Sequence, residues 1–142
     1  MKKWKLILVL LVPIVLLCTG QIQAHAQTRA SQYINNYVVS AAQGNNRGEV
    51  NIDFSIQANT VVSKIGALKI EIYRSNGGLV TTLYGSPSNG LLSPRNSIIY
   101  GISYHYKGVP GTSYYAIVTL CAGTSSDYDT RVVRTQTVKA PY

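Results

Sequence analysis

The sequence contains 142 residues with a formal net charge of +8, and two of its residues are cysteines. That length corresponds to one domain of ordinary size, which can bury enough apolar surface to fold without a metal ion or disulfides. Beyond the first five residues the basic side chains are scattered singly, which excludes a concentrated basic segment.

The first 26 residues have the pattern of a secretory signal peptide. Three lysines within the first five residues precede an apolar run over 6–17 that one proline interrupts. The run is too short to cross a bilayer comfortably, because a spanning helix needs about 20 apolar residues. Ala24 and Ala26 then supply the small residues that precede a cleavage site. We therefore predict a signal peptide over 1–26, cleaved before Gln27, and a secreted protein; a retained membrane anchor is the alternative.

The two cysteines lead to separate predictions. The alternative to a secreted protein is a bacterial lipoprotein at the cell surface, in which a lipid is attached to Cys18. Against this alternative, Leu17 stands where lipoprotein signals prefer a small residue. We expect membrane association only if Cys18 is lipidated. After cleavage Cys121 is the only thiol, so an internal disulfide is impossible. Cys121 either lies covered by a neighbouring segment or is exposed and available for an intermolecular disulfide, which would produce a homo-oligomer.

The region after residue 26 combines a moderate positive charge with many tyrosines. It carries ten basic and five acidic side chains, a net charge of +5. It also contains all eleven tyrosines, and Phe54 is its one other aromatic residue. This balance fits a mildly basic surface, or alternatively attraction to anionic polymers such as teichoic acids, acidic glycans or extracellular DNA.

Alternation of apolar and polar residues predicts short strands after a flexible segment at 27–32. The alternation is strictest around Val50, Ile52 and Phe54, as expected for a half-buried antiparallel strand. The stretch 114–122 has no charge on either face, which predicts a strand in the centre of its sheet. The predicted strands are 33–42, 50–58, 65–73, 79–84, 98–106, 114–122 and 131–138. Loops are expected at 85–96 and 123–129, and a tail at 140–142.

About seven strands, separated by turn signals at roughly 8–12-residue spacing, predict an all-β antiparallel sandwich over 33–140. A turn at 109–112 precedes Tyr114, which begins a strand. This is the pattern of a tyrosine corner, in which the hydroxyl bonds to backbone a few residues upstream. The stretch resembles an immunoglobulin-like or fibronectin type III-like domain. Ala116 stands where antibody domains have a cysteine, so we expect apolar packing to close the core.

The chain from 31 to 140 also resembles small secreted proteins of Gram-positive anaerobes. The segments that carry the resemblance are 63–67, 69–70, 115–119 and 126–131. Such proteins have no assigned function, so the resemblance implies a bacterial extracellular protein and no particular chemistry.

The titratable residues do not form a catalytic constellation in the sequence. His105 is the only histidine after residue 26, and alternation places it on the solvent side of its strand. Asp127 and Asp129 share one loop and could begin a calcium site, but calcium needs six to eight oxygen ligands. The alternative is a polar loop in which Asp129 pairs with Arg131. We therefore predict no catalytic residue, no metal and no cofactor, and we do not expect an enzyme.

Strand parity places Lys69, Tyr73 and Tyr115 on one outer face of a sheet. Exposed tyrosines beside a cation are typical of binding surfaces. The hypothesis is a secreted, non-catalytic binding or adhesion module for an extracellular polymer or surface, such as cell wall, glycan or mucin. The alternative is a structural or self-assembling surface protein that uses its sheet edges or Cys121.

Overall fold

A computed structural model describes residues 31–142. The predicted signal peptide, the Cys18 alternative and residues 27–30 of the predicted flexible segment lie outside the described residues. The described residues form strands and no helix, so they contain no helix that could span a membrane. The strands are β1 (Ile34–Gln43), β2 (Glu49–Val62), β3 (Lys64–Arg74), β4 (Leu79–Tyr84), β5 (Ser97–Lys107), β6 (Ser113–Gly123), β7 (Tyr128–Arg134) and β8 (Val138–Lys139).

Two antiparallel sheets form a sandwich, which confirms the predicted all-β class. The smaller sheet has the strand order β1-β2-β5. The larger sheet has the order β4-β3-β6-β7, and β8 pairs with the beginning of β6. The chain passes from one sheet to the other at Ser63, the single residue between β2 and β3.

The core lies between the two sheets and follows from the alternation in the sequence. Ile52 and Phe54 of β2 point inward, while the polar residues between them face solvent. Val118 and Leu120 of β6 are fully buried on the facing sheet. Because β6 pairs with β3, β7 and β8, it occupies the centre of its sheet, as its uncharged sequence predicted.

The predicted tyrosine corner is confirmed by its hydrogen bond. The hydroxyl oxygen of Tyr114 accepts a hydrogen bond from the backbone N–H of Val109 at 2.9 Å. Tyr114 is 1% exposed, and its ring meets the ring of Tyr106 edge-on with 5.3 Å between centroids. A Cβ atom on Gly108 would lie 2.6 Å from the Tyr114 ring, so this glycine lets the turn pack closely on it.

One prediction about β3 is wrong. Regular alternation through the predicted strand 65–73 would put Ala67 on the predicted outer face with Lys69 and Tyr73, whereas Ala67 is fully buried in the core. The register between β3 and β6 shifts between Ala67 and Lys69, so Leu68 is an extra residue in the strand. Such a β-bulge exchanges the inner and outer faces for the residues of β3 that precede it.

The last predicted strand, 131–138, is divided in the structure. β7 begins earlier, at Tyr128, within the predicted loop, and it ends at Arg134. Thr135 then turns inward and is buried, and its Oγ1 accepts a hydrogen bond from the N–H of Ala116 at 2.9 Å. The Thr135 side chain thus replaces a backbone carbonyl as the hydrogen-bond partner of Ala116. Strand pairing with β6 resumes at β8.

The predicted tail at 140–142 is also wrong, because these residues are part of the fold. Ala140 is fully buried, and its N–H donates to the carbonyl of Thr112 at 2.9 Å. The carbonyl of Pro141 accepts a hydrogen bond from Gly48 at 2.8 Å. The final residues therefore join the β1–β2 loop to the β5–β6 loop.

Candidate binding surface

A stack of three side chains lies on the outer face of the larger sheet. Tyr73 of β3 and Tyr115 of β6 are register partners, and their rings are parallel within 6° with centroids 5.1 Å apart. The guanidinium carbon of Arg134 lies 3.9 Å from the centroid of the Tyr115 ring. Because β6 lies between β3 and β7, Tyr73 and Arg134 reach Tyr115 from opposite sides. Both faces of the Tyr115 ring are therefore occupied.

The same face carries an ion pair further along β3. The Nζ of Lys69 lies 3.1 Å from an Oε of Glu71, and both side chains are partly exposed. All three predicted contact residues, Lys69, Tyr73 and Tyr115, thus lie on this face, but they are not equivalent. The tyrosines touch each other, whereas the lysine is separated from Tyr73 by Glu71, which pairs with its charge.

We call this surface the tyrosine face. It consists of the outward side chains Lys69, Glu71, Tyr73, Tyr115, Ile117, Thr119, Val132 and Arg134, together with Tyr84 of β4. One register row runs across four strands through Tyr84, Lys69, Thr119 and Val132. Tyr84 is 73% exposed and Val132 68% exposed at the two ends of that row. A face with this much exposed apolar and aromatic surface has the composition of a contact surface.

Reasoning from the sequence missed Arg134. The available signal was its parity with Val132 in the last predicted strand. Parity alone does not tell which tyrosine an arginine reaches, because that depends on the pairing of β7 with β6. In the structure Arg134 is the register partner of Ile117, and its side chain extends from there to Tyr115.

Cys121 is buried, which is the covered alternative for this thiol. It is 0% exposed, and desolvation by burial raises the pKa of the thiol to about 11, although Lys64 acts in the opposite direction. Its register partner is Gly66, which pairs on its other side with the buried Leu92 of the β4–β5 loop. This burial counts against the intermolecular disulfide, because the sulfur would have to leave the interior to reach another chain.

His105 lies on the outer face of the smaller sheet, as its parity predicted. Its Nδ1 is 2.7 Å from Oδ1 of Asn51 and 3.2 Å from an Oε of Glu49, and the side chain is 60% exposed. Hydrogen bonds from Asn46 and His105 lower the pKa of the Glu49 carboxyl, against a smaller opposing effect of desolvation. In residues 31–142 no hydroxyl or thiol is a hydrogen-bond partner of the imidazole, so a nucleophile is not assembled on it.

The two loop aspartates hold the beginning of the described chain. One carboxylate oxygen of Asp129 accepts hydrogen bonds from the Ser31 hydroxyl and the Tyr33 N–H, each at 2.7 Å. These bonds, the one from Ser31 first, lower the pKa of Asp129. The pairing of Asp129 with Arg131 is wrong, because Arg131 donates to the carbonyl of Thr130. Ser31, predicted to be flexible, is thus anchored.

Asp127 contributes to the same anchor. One of its carboxylate oxygens accepts a hydrogen bond from the Tyr33 hydroxyl at 3.1 Å, which is the largest cause of the raised pKa of Tyr33. No cluster of three histidine, cysteine or acidic side chains fit to hold a metal ion occurs in the part of the chain that the structure describes.

Comparisons with known proteins give little further guidance. No family model matches the chain, and no curated protein matches it. A solved structure similar in part is the crystal structure of a family 76 glycoside hydrolase from a bovine Bacteroides thetaiotaomicron strain. The match has a TM-score of 0.44 and 15% identity, and it covers 75% of this chain and 20% of that chain. This chain therefore matches about a fifth of that hydrolase, and so distant a likeness supports no functional argument.

Proposed function

We propose that residues 33–140 are an immunoglobulin-like or fibronectin type III-like domain of a secreted bacterial protein, exported by the signal peptide at 1–26. Lettered as in immunoglobulin domains, β1, β2 and β5 correspond to strands A, B and E, and β4-β3-β6-β7 to C′, C, F and G. Tyr114 stands at the start of the strand that corresponds to F, where the tyrosine corner of such domains occurs. The arrangement supports the sequence resemblance, with Ala116 in place of the cysteine.

We further propose that the domain is a non-catalytic binding or adhesion module for an extracellular polymer such as cell wall, glycan or mucin. The observation that carries the proposal is the stack of the half-buried Tyr73 and Tyr115 with the exposed Arg134 on the tyrosine face. Mutual packing holds these side chains in place before a ligand arrives, which reduces the entropy lost on binding. Their hydroxyl and guanidinium groups can bond the hydroxyl and carboxylate oxygens of a polysaccharide.

The placement of the titratable groups supports a binding role over a catalytic one. A glycosidase needs two carboxyl groups about 5–10 Å apart on either side of a bound sugar. Asp127 and Asp129 instead bond to Tyr33 and Ser31 of their own chain. Glu71 pairs with Lys69 on the tyrosine face.

The test is a pull-down of the secreted protein on purified bacterial cell wall and on mucin. We expect retention of the wild type and a loss of at least tenfold for the double variant Tyr73→Ala/Tyr115→Ala. Tyr37→Ala is the matched control, because Tyr37 is an exposed tyrosine on β1 of the other sheet. Arg134→Gln is the second variant, since it removes one layer of the stack and leaves both rings in place.

Two results would overturn the proposal. One is that neither matrix retains the wild type, and the other is that folded double and Arg134→Gln variants are retained as well as the wild type. Thermal unfolding establishes that each variant is folded. An oligomer of the wild type that reductant dissolves would instead favour the self-assembling alternative through Cys121.

A further inference from the structure

Four exposed cations gather at one end of the sandwich, which we call the basic end. They are Arg47, Arg74, Lys107 and Lys139. The topology brings them together because the β1–β2 loop, the β3–β4 turn and the β5–β6 loop all lie at this end of the antiparallel sheets. The register agrees, since Lys107 is opposite the first residue of β2, while Arg74 and Lys139 are opposite Tyr114 and Ser113 at the start of β6.

These positive charges have few negative neighbours. Within residues 31–142 none of the four cations forms an ion pair. The side-chain carboxylate at this end of the described chain is that of Glu49, and it is engaged by Asn46 and His105. Asp127 and Asp129 lie at the opposite end, in and next to the β6–β7 loop. The side chains at the basic end therefore carry an excess of three positive charges, in a domain with only five acidic residues.

Hydrogen bonds between backbone groups fix the segments that carry these cations. Gly108 donates to the carbonyl of Gly48, and Gly48 donates to the carbonyl of Pro141, each at 2.8 Å. A Cβ atom on Gly48 would lie 2.5 Å from the carbonyl oxygen of Gly108, so the two loops are in direct contact. Ser75 of the β3–β4 turn also donates to Ser113 at 2.9 Å. The backbone that carries these cations is thus held in place, and their like charges together attract a polyanion.

We infer that the basic end binds an acidic polysaccharide through its sulfate, phosphate or carboxylate groups. The inference rests on the proposed role in binding an extracellular polymer, and it assigns the charged part of that polymer to a second surface next to the tyrosine face. The two surfaces adjoin where Tyr73 is followed by Arg74 at the end of β3. Guanidinium groups match the geometry of oxyanions, and ammonium groups add unspecific charge.

The packing of Tyr115 next to the basic end favours a polysaccharide over a single-stranded nucleic acid. Proteins that bind single-stranded nucleic acid stack the bases on free aromatic faces. Here both faces of the Tyr115 ring are occupied. Lys139 lies 4.8 Å from the centroid of the Tyr142 ring, which also rests against Gly111. The Tyr115 ring therefore offers no free face to a base, whereas Tyr142 is 79% exposed, and competition with single-stranded DNA is accordingly part of the test.

The test compares dextran sulfate with dextran, because the two polymers share a backbone and differ in charge. We expect the wild type to bind dextran sulfate and not dextran. The variant Arg47→Gln/Lys107→Gln should weaken binding at least tenfold and lower the slope of log affinity against log salt by about 2. The variant Arg95→Gln/Arg131→Gln is the charge-matched control, because it also removes two cations but from outside the basic end. The control should change the slope little.

Three results would overturn the inference. They are equal losses in the two double variants, no binding of dextran sulfate, and displacement of dextran sulfate by single-stranded DNA at equal phosphate and sulfate concentration. None of them bears on the cell-wall pull-down with the tyrosine variants. Failure of the basic end is therefore distinguishable from failure of the tyrosine face.

Discussion

The substitution Tyr114→Phe tests whether the tyrosine corner stabilises the domain. It removes the hydroxyl that accepts a hydrogen bond from Val109 at 2.9 Å, and it leaves the ring and its contact with Tyr106 in place. A hydrogen bond contributes about 0.5–1.5 kcal/mol net, and an unpaired buried donor costs about 1–3 kcal/mol. This hydrogen bond is only partly buried and Val109 is 55% exposed, so the full cost of a buried unpaired donor does not apply. We therefore expect a loss of about 1 kcal/mol in the free energy of unfolding.

Urea unfolding measures this loss, because ΔG falls linearly with denaturant and the slope reports any change in exposed surface. A loss of that size lowers Tm by about 4 °C in a domain of this length. Tyr115→Phe is the matched control, since its hydroxyl forms no hydrogen bond with any described residue and its ring stack survives. Equal stability of the wild type and Tyr114→Phe, or equal losses in the two variants, would refute the assigned role of the corner.

Three further predictions concern stability and reactivity. Hydrogen bonds lower the folded pKa of Asp129, so its stabilising contribution is present above the unfolded pKa near 4 and is lost as pH falls through the folded pKa. Urea unfolding should show the stability difference between wild type and Asp129→Asn shrinking below about pH 4, and a constant difference would contradict this. Gly66→Ala should lower the thermal stability of the domain far more than Gly77→Ala. Both glycines have a positive φ, but only at Gly66 would the added Cβ lie 2.3 Å from the carbonyl oxygen of Leu91. Similar losses would show that the close approach is unimportant. The buried Cys121 should not react with a thiol reagent in the native protein and should react fully in denaturant; rapid native labelling would contradict its burial.

The strands with an uninterrupted period of two were predictable from the sequence. Burial alternates without interruption from Val50 to Ile56 in β2 and from Tyr114 to Leu120 in β6, because one face of each strand lies on the core. The bulge at Leu68 was not predictable from the sequence. The apolar pattern before Leu68 and the apolar pattern after it are each locally intact, and the shift between them shows only in the pairing of β3 with β6. The break at Thr135 likewise depends on a hydrogen bond to Ala116, which is distant in sequence.

From the sequence, strand parity predicted which side chains share a face of a sheet, but not which of them are in contact. Parity puts Tyr73 and Tyr115 on one face, but it does not place their rings in contact or bring Arg134 to the other side of Tyr115. The basic end has no local signal at all. Arg47 and Lys107 are distant in the chain, and they lie at the same end because Lys107 ends β5, which pairs with the start of β2 directly after the loop that carries Arg47.

Salt concentration should separate the contributions of the two surfaces. On the tyrosine face, Glu71 already pairs with Lys69, so binding there depends mainly on short-range contacts and hydrogen bonds with Tyr73, Tyr115 and Arg134. At the basic end the cations are unpaired within the described chain, so binding there depends on charge. The Debye length falls from about 8 Å at physiological ionic strength to about 3 Å at 1 M salt, which screens the second contribution far more than the first. Retention of the wild type on an acidic cell-wall polymer should therefore fall with salt to a plateau set by the tyrosine face. The Tyr73→Ala/Tyr115→Ala variant should lose this plateau and keep the salt-sensitive part, and a parallel decrease of both parts would show that the two surfaces do not act separately.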